Sequence, residues 1–327
     1  MSRHITNSRI LVTGGAGFIG SNLVKALLTQ NNEVICLDNF ITGKHENIAE
    51  HTSNKHFTLL EGDIRNFEDC TKAVDGVQYV LHQAALGSVP RSIIDPITTN
   101  SHNITGFLNM ITAARDAKVK RFVYAASSSV YGDHPGLPKY EDHIGKPLSP
   151  YAVTKYVNEL YAKVFSDNYG IETIGLRYFN VFGPQQDPEG AYAAVIPKFI
   201  KQLISHEAPQ IHGAGDTSRD FTYIDNVVQI NQLAALTTNI EALNTVYNVA
   251  CSERTTLNEL TNILIKELAL FDPKITTISP IHGIERKGDI KHSHASIEKA
   301  KELLEYSPQI LVNEGLAKTV KWFWENK

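Results

Sequence analysis

The sequence lacks the features that mark secreted and membrane-spanning proteins. Its 327 residues include only three cysteines, Cys36, Cys70 and Cys251, which lie far apart and form no CxxC pair. A disulfide framework needs more cysteines at shorter spacing, so a reducing compartment is expected. The polar start MSRHITNSR resembles no signal peptide, and no apolar run approaches the roughly 18 residues of a membrane span. We therefore expect a cytoplasmic protein.

The sequence also lacks an excess of positive charge and a recognisable metal motif. A formal net charge of -4, from 31 Lys and Arg against 35 Asp and Glu, leaves no basic face for nucleic acid or a membrane surface. The 13 histidines form no HExxH motif, and His292-Lys-Ser-His294 has no carboxylate or thiolate set beside it in the sequence. No metal, nucleic acid or membrane partner is expected.

What the sequence does contain is an alternation of short apolar runs and segments with helical spacing. This alternation predicts a parallel sheet covered by helices on both faces, an α/β fold of the Rossmann-like, doubly wound kind. The runs end in small or polar residues, as at the ligand-binding edge of open α/β sheets. The predicted strands are RILVTG (9–14), EVICLD (33–38), FTLLEGD (57–63), YVLHQA (79–84), RFVYAASS (121–128) and TIGLRYFNV (173–181).

The pattern changes near residue 180, where Gly and Pro become frequent and the loops between helices lengthen. YNVA (247–250) has the composition of one more sheet strand. We therefore expect a dinucleotide-binding domain over 1–180, completed by a returning segment near 220–252. Most of 181–327 is expected to form a smaller, discontinuous α/β domain that supplies a wall of the substrate pocket.

A glycine-rich loop follows the first predicted strand. TGGAGFIGSNL (13–23) places Gly14, Gly17 and Gly20 between an apolar strand and an apolar helix. Gly14 permits a tight turn, Gly17 lets the backbone approach a diphosphate, and Gly20 allows close packing of the helix on the strand. Such turns also serve as plain connections, but the flanking strand and helix favour dinucleotide binding.

An acid lies at the distance that this kind of site requires. Asp38 comes 18 residues after Gly20, at the end of VICLD, where a carboxylate accepts the adenosine ribose hydroxyls and repels a 2′-phosphate. No arginine lies between 36 and 46, and Lys44 is six residues beyond Asp38. The sequence therefore predicts NAD rather than NADP, and Asp63, at the end of the third strand, is expected to border the adenine.

A tyrosine and a lysine share one face of a predicted helix. LSPYAVTKYVNELYAKVF (148–165) has Ser149 as its N-cap and Pro150 in the first helical position. Tyr151 and Lys155 are four residues apart, hence one turn from each other. The helix dipole and the ammonium are expected to lower the pKa of the phenol, which makes Tyr151 a candidate general base.

Eight motifs resemble, in order and over nearly the full length, those of the extended short-chain dehydrogenase/reductases: TGGAGFIG, LDN, EGDI, SSSVYGD, SPYAVTK, LRYFNVFGP, SRDFTYIDN and ERKGD. Within that family the chain is most similar to the nucleotide-sugar 4-epimerases. GSVPRSIIDP and GAYAAVIPKF resemble the branch acting on UDP-N-acetylglucosamine and its uronic acid. The resemblance implies tightly bound NAD and a homodimer formed through a four-helix bundle of the helices near 97–118 and 150–167.

The resemblance also implies the reaction. Tyr151 takes the proton of the sugar 4-hydroxyl while hydride leaves carbon 4, and the 4-keto sugar turns and regains hydride on its other face. Relatives that dehydrate carry an Asp-Glu pair after the first Ser or Thr, and relatives that decarboxylate a uronic acid carry Glu in the third position. Ser128 and Ser129 stand there. This favours interconversion of UDP-N-acetylglucosamine and UDP-N-acetylgalactosamine, or of their uronic acids.

The same resemblance assigns residues to roles. Ser127, Tyr151 and Lys155 form the catalytic set. Cofactor contacts fall on Gly14, Gly17, Phe18, Ile19, Gly20, Asp38, Asn39, Asp63, Ile64, Ala84, Ala85, Tyr151, Lys155 and Tyr178. Substrate contacts fall on Gly87, Ser88, Arg91, Ser127, Ser128, Ser129, Tyr151, Asn180, Gln186, Ala194, Val195, Arg219, Arg286 and Ser293. Asn180 and the two arginines Arg219 and Arg286 are expected to hold the diphosphate or uridine, and Ala194 and Val195 the uracil.

Two of these positions bear on the choice of sugar. Enzymes restricted to UDP-glucose and UDP-galactose often carry Lys where Gly87 stands and Tyr where Ser293 stands. Serine leaves room for a 2-acetamido group, so a preference for N-acetylated sugars is expected. A carboxylate at sugar carbon 6 stays open, since Arg91 would suit a uronate. Two alternatives also stay open: a UDP-uronate decarboxylase or dehydratase of the same family, and a non-catalytic NAD(P)-sensing protein.

Overall fold

Strands and helices alternate along the first half of the chain. The computed structural model describes residues 3–189, 193–285 and 291–327. In chain order the elements are β1 (Arg9–Thr13), α1 (Phe18–Thr29), β2 (Glu33–Asp38), β3 (Phe57–Glu61), α2 (Phe67–Ala73), β4 (Tyr79–His82), α3 (Val89–Ile94), α4 (Pro96–Asn100), α5 (Gly106–Asp116), β5 (Arg121–Ser127), α6 (Pro150–Tyr169) and β6 (Thr173–Tyr178). A π-helical turn over Ser101–Thr105 joins α4 to α5.

The second half has shorter strands and longer connections. Its elements are β7 (Val181–Phe182), α7 (Val195–Ile204), β8 (Gln210–His212), β9 (Ser218–Arg219), β10 (Thr222–Tyr223), α8 (Ile224–Leu236), β11 (Thr245–Val249), β12 (Thr255–Thr256), α9 (Leu257–Ala269), β13 (Ile281–Gly283), α10 (Glu298–Leu304) and α11 (Val312–Glu325). Six of the short strands pair as β7 with β10, β8 with β13, and β9 with β12.

The remaining strands form one seven-stranded sheet in the order β11-β6-β5-β4-β1-β2-β3, and all its pairs are parallel. This confirms the predicted Rossmann-like doubly wound fold. The direction of winding reverses between β1 and β4, and at such a reversal the connections leave a crevice outside the carboxyl ends of the strands. The edge strand β11 comes from the second half of the chain and pairs with β6.

Alternate residues of each strand are buried on opposite faces of the sheet, which is why the strands are apolar throughout. Val12 and Cys36 pack in one core cluster with Leu23 of α1 and Ile230 of α8. Leu11 belongs to the other cluster, together with apolar residues of α2, α5 and α6. Within the described ranges, no helix combines the length and the apolar character needed to cross a membrane.

Candidate active site

The glycine-rich loop connects β1 to α1 and lies against the loop after β4. Gly14 has φ +66°, and a Cβ at that position would come within 2.8 Å of the Ala84 backbone nitrogen. A Cβ on Gly20 would lie 2.0 Å from the Gly14 carbonyl oxygen, so the first turn of α1 packs directly on the loop. Gly17 precedes α1 as its N-cap. The loop therefore brings the amino end of α1 to the crevice between β1 and β4.

Asp38, at the end of β2, binds the backbone of the same loop. Its carboxylate accepts hydrogen bonds from the backbone N–H groups of Ala16 and Phe40, each at 2.9 Å. Gly43 lies so close that a Cβ there would be 2.8 Å from the Asp38 carboxylate. The acid is thus fixed beside the glycine loop.

A cavity of about 290 Å³ lies along the carboxyl ends of β1 to β4. Ten of the residues assigned to the cofactor line it: Gly14, Gly17, Phe18, Ile19, Gly20, Asp38, Asn39, Ile64, Ala84 and Ala85. A glycine cradle, a helix amino end and a carboxylate beyond it are the features that a dinucleotide requires. The residues present therefore fit a dinucleotide.

Asp63 is not among the residues that line this cavity, but it contacts one of them. It accepts a hydrogen bond from the Asn39 amide at 2.9 Å and from Arg65 at 2.7 Å. Burial works to raise the pKa of Asp63, but the bonds from Arg65 and Asn39 outweigh it and hold the pKa well below its usual range. The ionised carboxylate thereby orients Asn39, which itself lines the cavity.

The serines follow β5 directly. Ser127 ends the strand, and its hydroxyl accepts a hydrogen bond at 3.1 Å from the backbone N–H of Ser129, capping a one-turn 3-10 helix over Ser128–Tyr131. The Ser129 hydroxyl is buried and has no hydrogen-bond partner in the part of the chain that the structure describes. Ser127 is thus held by local backbone geometry at the end of a buried strand.

Tyr151 and Lys155 reach the end of β5 from α6. The helix begins as the sequence predicts, with Pro150 first and the Ser149 hydroxyl accepting a bond from the Ala152 N–H at 3.1 Å. The Tyr151 phenol interacts with the Ser127 hydroxyl. The Lys155 ammonium donates to the Ala125 carbonyl at 2.8 Å. The structure therefore brings together the three residues assigned to catalysis.

The expected lowering of the Tyr151 pKa is wrong for this structure. Burial raises the pKa of the phenol, and the interaction with Ser127 only partly opposes it. Burial also lowers the pKa of Lys155 to about 8. The desolvation of both groups, which the sequence pattern does not report, outweighs the favourable effect of helix dipole and ammonium on a phenolate.

Tyr178 belongs to a closed hydrogen-bonded ring with Gln83 and Asn231. The Tyr178 hydroxyl donates to the Gln83 side-chain oxygen at 3.0 Å, and Gln83 donates to the Asn231 oxygen at 3.1 Å. Asn231 completes the ring by donating to the Tyr178 hydroxyl at 2.9 Å. Each polar group has a donor or acceptor of the right kind, so the ring fixes the ends of β4 and β6 relative to α8.

A second cavity adjoins the first one, and a third adjoins the second. A cavity of about 570 Å³ shares five lining residues with it, among them Gly17, Phe18 and Gly87. Five residues assigned to the substrate line this second cavity: Gly87, Ser88, Arg91, Gln186 and Ala194. A third, of about 180 Å³, is lined by Asn180, Gln186, Ala194 and Val195 among others. Each cavity shares lining residues with the next, and the three together are called the depression below.

Asp220 brings the remaining substrate residues into one neighbourhood. Its carboxylate accepts bonds from the backbone N–H groups of Cys251 at 3.0 Å and Ala295 at 3.2 Å. Its carbonyl accepts a bond from the Asn180 amide at 3.0 Å. The neighbouring Ser218 carbonyl receives both the Ser293 N–H and the Arg219 guanidinium at 3.0 Å. Asn180, Arg219 and Ser293 therefore lie close together. Burial raises the pKa of Asp220 to about 7.

The comparisons with known proteins agree with this geometry. The model of the NAD dependent epimerase/dehydratase family matches residues 10–250. The chain belongs to that family. Its members use NAD, and the dinucleotide site described above is therefore an NAD site. The chain falls in the nucleotide-sugar 4-epimerase class of these enzymes, as three solved structures show.

A UDP-N-acetylglucosamine 4-epimerase from Methanobrevibacter ruminantium, solved with UDP-N-acetylmuramic acid, is 38% identical with a TM-score of 0.91, covering 99% of this chain and 100% of that one. A UDP-glucose 4-epimerase from Thermotoga maritima, solved with UDP-glucose, is 35% identical with a TM-score of 0.88, covering 97% and 99%. A UDP-glucuronic acid 4-epimerase from Bacillus cereus, solved with its UDP-sugar and NAD, is 32% identical with a TM-score of 0.88, covering 98% and 100%.

Not every residue predicted for this epimerase-family site lines the depression. Among the described residues, nine that were predicted for the site are absent from the lining of the three cavities: Asp63, Ser127, Ser128, Ser129, Tyr151, Lys155, Tyr178, Arg219 and Ser293. Arg286 lies outside the described residues. The catalytic three and the Arg219–Ser293 neighbourhood are each assembled, but each is assembled beside the depression.

The structure also adds residues that the sequence reasoning missed. Leu37, Ile41, Thr42, Gly62, Gln83, Leu86 and His102 line the cofactor cavity, and Lys44, Asn47, Gln185 and Asp187 line the next one. Gln83 and Leu86 flank the predicted Ala84 and Ala85, so their position in the loop after β4 was a usable signal. His102 had no such signal, because it lies in the π-helical turn.

Proposed function

We propose that this epimerase interconverts UDP-N-acetylglucosamine and UDP-N-acetylgalactosamine, or the corresponding uronic acids. The observation that carries the proposal is the assembly of Ser127, Tyr151 and Lys155 at the end of β5, with serines and no carboxylate at 128 and 129. A dehydration or decarboxylation needs an acid or base beside the sugar besides the tyrosine. The side chains that follow Ser127 supply hydroxyl groups only, which favours epimerisation at carbon 4.

The three residues have distinct parts in the proposed reaction. NAD, when bound, supplies the acceptor and donor of the hydride at sugar carbon 4. Tyr151 takes the 4-hydroxyl proton and later returns it, and Ser127 hydrogen-bonds the 4-oxygen. Lys155, held by the Ala125 carbonyl, lies one turn from Tyr151 and below pH 8 carries a positive charge beside it. We further propose that the NAD of this chain stays bound between turnovers.

The other assignments describe how the substrate is held. Asn180 and Arg219, joined through Asp220 and Ser218, are proposed to hold the diphosphate while the hexose turns. Residues 1–180 with the segment near 220–252 would then form the NAD-binding domain, and most of 181–327 the substrate-binding domain. Ala194 and Val195, at the start of α7, are proposed to contact the uracil.

Room for an acetamido group supports the proposed sugar. Gly87 lines both larger cavities, and a Cβ built there meets nothing within 4 Å. Ser293 is held by its backbone, whose N–H donates to the Ser218 carbonyl, and its side chain is much smaller than the tyrosine that often stands there in enzymes restricted to UDP-glucose and UDP-galactose. A pocket that accepts a larger 2-substituent needs small residues at both positions.

Purified protein is expected to convert UDP-N-acetylglucosamine to its 4-epimer, and NMR can monitor this conversion. Ser293→Tyr should lower kcat/KM for the N-acetylated sugar by about 10- to 200-fold more than for UDP-glucose, as for a filled specificity pocket. Ser293→Ala is the matched control and should retain both activities. Equal losses on both sugars would refute the role of Ser293, a pentose product from a uronate would indicate decarboxylation, and NAD binding without turnover would indicate a sensor.

We also propose a homodimer through the helices near 97–118 and 150–167, which are α4, α5 and α6, with the adjoining α3 as part of the same surface. On α6, Val153, Leu160 and Val164 are 46%, 49% and 51% exposed and recur at helical spacing on one face. Ile94 and Ile97 on α3 and α4, which pack against α6, are 73% and 81% exposed. A continuous apolar surface on neighbouring helices is what a four-helix interface between two copies would cover.

Light scattering is expected to give twice the monomer mass for the native chain. The double change Leu160→Glu and Val164→Glu should raise the dimer dissociation constant by at least about tenfold, because it puts two charges into an apolar interface. Ile240→Glu is the control, since Ile240 is 83% exposed but lies far along the chain from these helices. An unchanged dimer in the double variant would place the interface elsewhere.

A further inference from the structure

One buried carboxylate is the meeting point of three chain segments. Asp220 is 0% exposed and lies between β9, which ends at Arg219, and β10. Its Oδ1 accepts a hydrogen bond from the backbone N–H of Cys251 at 3.0 Å, and its Oδ2 accepts one from the N–H of Ala295 at 3.2 Å. Cys251 follows β11, and Ala295 precedes α10. The acid therefore links its own segment to two segments that come later in the chain.

Three residues assigned to the substrate lie on these segments or bond to them. Arg219 is next to Asp220 in the chain, and Ser293 comes two residues before Ala295. Asn180, which follows β6, donates to the Asp220 carbonyl at 3.0 Å. The strength with which the Asp220 carboxylate holds its two N–H donors therefore bears on the relative positions of all three residues.

The Asp220 carboxylate is unfavourable to bury, which indicates a role other than net stability. Burial raises the pKa of Asp220 to about 7, and the backbone bonds from Cys251 and Ala295 only partly oppose this shift. An apolar side chain of similar volume would avoid the free-energy cost of burying a charge. It could not, however, hold two N–H groups at fixed positions. The two bonds therefore contribute geometry.

We propose that Asp220 is a positioning residue for the UDP-sugar. By fixing the segments around it, Asp220 holds Arg219 and Ser293 in the arrangement that accepts the substrate. It acts through these neighbours, because a side chain with no exposed surface does not touch a bound ligand. The inference rests on the proposed role of Arg219 at the diphosphate, and it gives a role to a residue that the sequence pattern left without one.

The charge of Asp220 makes positioning distinguishable from a purely electrostatic effect. A negative charge beside Arg219 disfavours an anionic ligand, so removing that charge alone should strengthen diphosphate binding. If Asp220 acts by position, its loss should weaken binding instead, because Arg219 is then no longer held in place. The two effects have opposite signs, so the direction of the change in affinity separates them.

The affinity of the NAD-loaded protein for UDP is measured by calorimetry. Asp220→Asn keeps the side-chain volume and one accepting oxygen, and should weaken UDP binding by about 2- to 12-fold, the value of one hydrogen bond. The amount of NAD bound per chain should stay native. Unchanged or tighter UDP binding would overturn the proposal, and so would a joint loss of UDP and NAD, since Asp220 would then support the fold as a whole.

Glu141→Gln is the matched control for Asp220→Asn. Glu141 is 7% exposed and accepts the backbone N–H of Asn248 at 2.8 Å, and burial raises its pKa as well. It has no assigned part in substrate binding. The same change from acid to amide at this position should therefore leave the affinity for UDP within about twofold of the native value. A loss equal to that in Asp220→Asn would show that removing any buried acid has this effect, against the proposal.

A variant of Arg219 separates this inference from the function on which it rests. Arg219→Met should weaken UDP binding by about 10- to 150-fold, the value of a hydrogen bond to a charged group. In that background Asp220→Asn should have a smaller effect than in the native chain, because residues that act together are not additive. Equal factors in both backgrounds would overturn the inference alone. If Arg219→Met leaves UDP affinity unchanged, the diphosphate role is wrong and the inference falls with it.

Hydrogen exchange of the native chain provides a check that requires no substitution. Coupling between binding events is reciprocal, so if the hold of Asp220 on its donors favours UDP, UDP must strengthen that hold. The amides of Cys251 and Ala295 should therefore exchange more slowly with saturating UDP than without it. The Asn248 amide, held by Glu141, is expected to exchange at the same rate in both conditions. Unaltered exchange at Cys251 and Ala295 would contradict the positioning role.

Discussion

Replacing Tyr151 with Phe is expected to lower kcat by about 10²- to 10⁴-fold, the usual contribution of a positioned general acid or base. The change removes the phenolic oxygen, which interacts with the Ser127 hydroxyl. It leaves the ring in place at the start of α6, so the fold and the cofactor cavity should be retained. Steady-state rates on UDP-N-acetylglucosamine, together with NAD affinity by calorimetry, provide the measurement.

Tyr156→Phe is the matched control for that experiment. Tyr156 lies on the same helix, is half-buried and has no assigned role, so the same loss of a hydroxyl should leave kcat close to the native value. NAD affinity should change by no more than about tenfold in Tyr151→Phe, the value of one hydrogen bond. A variant that keeps most of its turnover would remove Tyr151 from the role of base. A variant that loses NAD entirely would assign it to binding instead.

The raised pKa of Tyr151 bears on how such a base can act. Burial disfavours the phenolate, and the pKa of Lys155 falls to about 8 for the same reason. Lys155 is therefore charged below about pH 8 and loses that charge as the pH rises further. The positive charge of Lys155 therefore stabilises the phenolate most at the lower pH values, where the phenol is hardest to ionise. Buried Glu159, four residues after Lys155, opposes the lowering of the Lys155 pKa.

The sheet and the cofactor loop could be read from the sequence because their determinants are local. Apolar runs with acidic or small ends gave the parallel strands, and the spacing from Gly20 to Asp38 placed the acid beside the loop. Ser149 and Pro150 marked the start of α6 within the same few residues. Each of these signals depends on neighbours in the chain and not on the tertiary fold.

The features that escaped prediction depend on residues far apart in the chain. The ring of Gln83, Tyr178 and Asn231 joins three elements, and none of the three segments shows by itself that the others are near. Asp220 is a similar case, since its partners Cys251 and Ala295 come from later loops. The raised pKa of Tyr151 escaped for a related reason, because burial is a property of the packed fold.

Arg177 is expected to be the side chain near α6 whose loss lowers stability the most. On β6, it makes two bonds to the Glu159 carboxylate, at 2.9 and 2.8 Å, and both side chains are less than a tenth exposed. It also donates to the Tyr131 hydroxyl at 3.0 Å and to the Glu141 carbonyl at 2.8 Å. The guanidinium thus joins β6, α6 and the turn that follows Ser127.

Arg177→Met should lower the free energy of unfolding by about 3–5 kcal/mol, because it leaves the Glu159 carboxylate buried without its partner. The double variant with Glu159→Leu removes that charge and should be destabilised less than the single variant. Arg3→Met, at an exposed pair with Glu305, should cost at most about 1 kcal/mol. The free energy of unfolding is measured in denaturant for the native chain, the two single variants and the double variant. A double variant as unstable as Arg177→Met would show that the bonds to Tyr131 and Glu141, and not the buried charge, carry the effect.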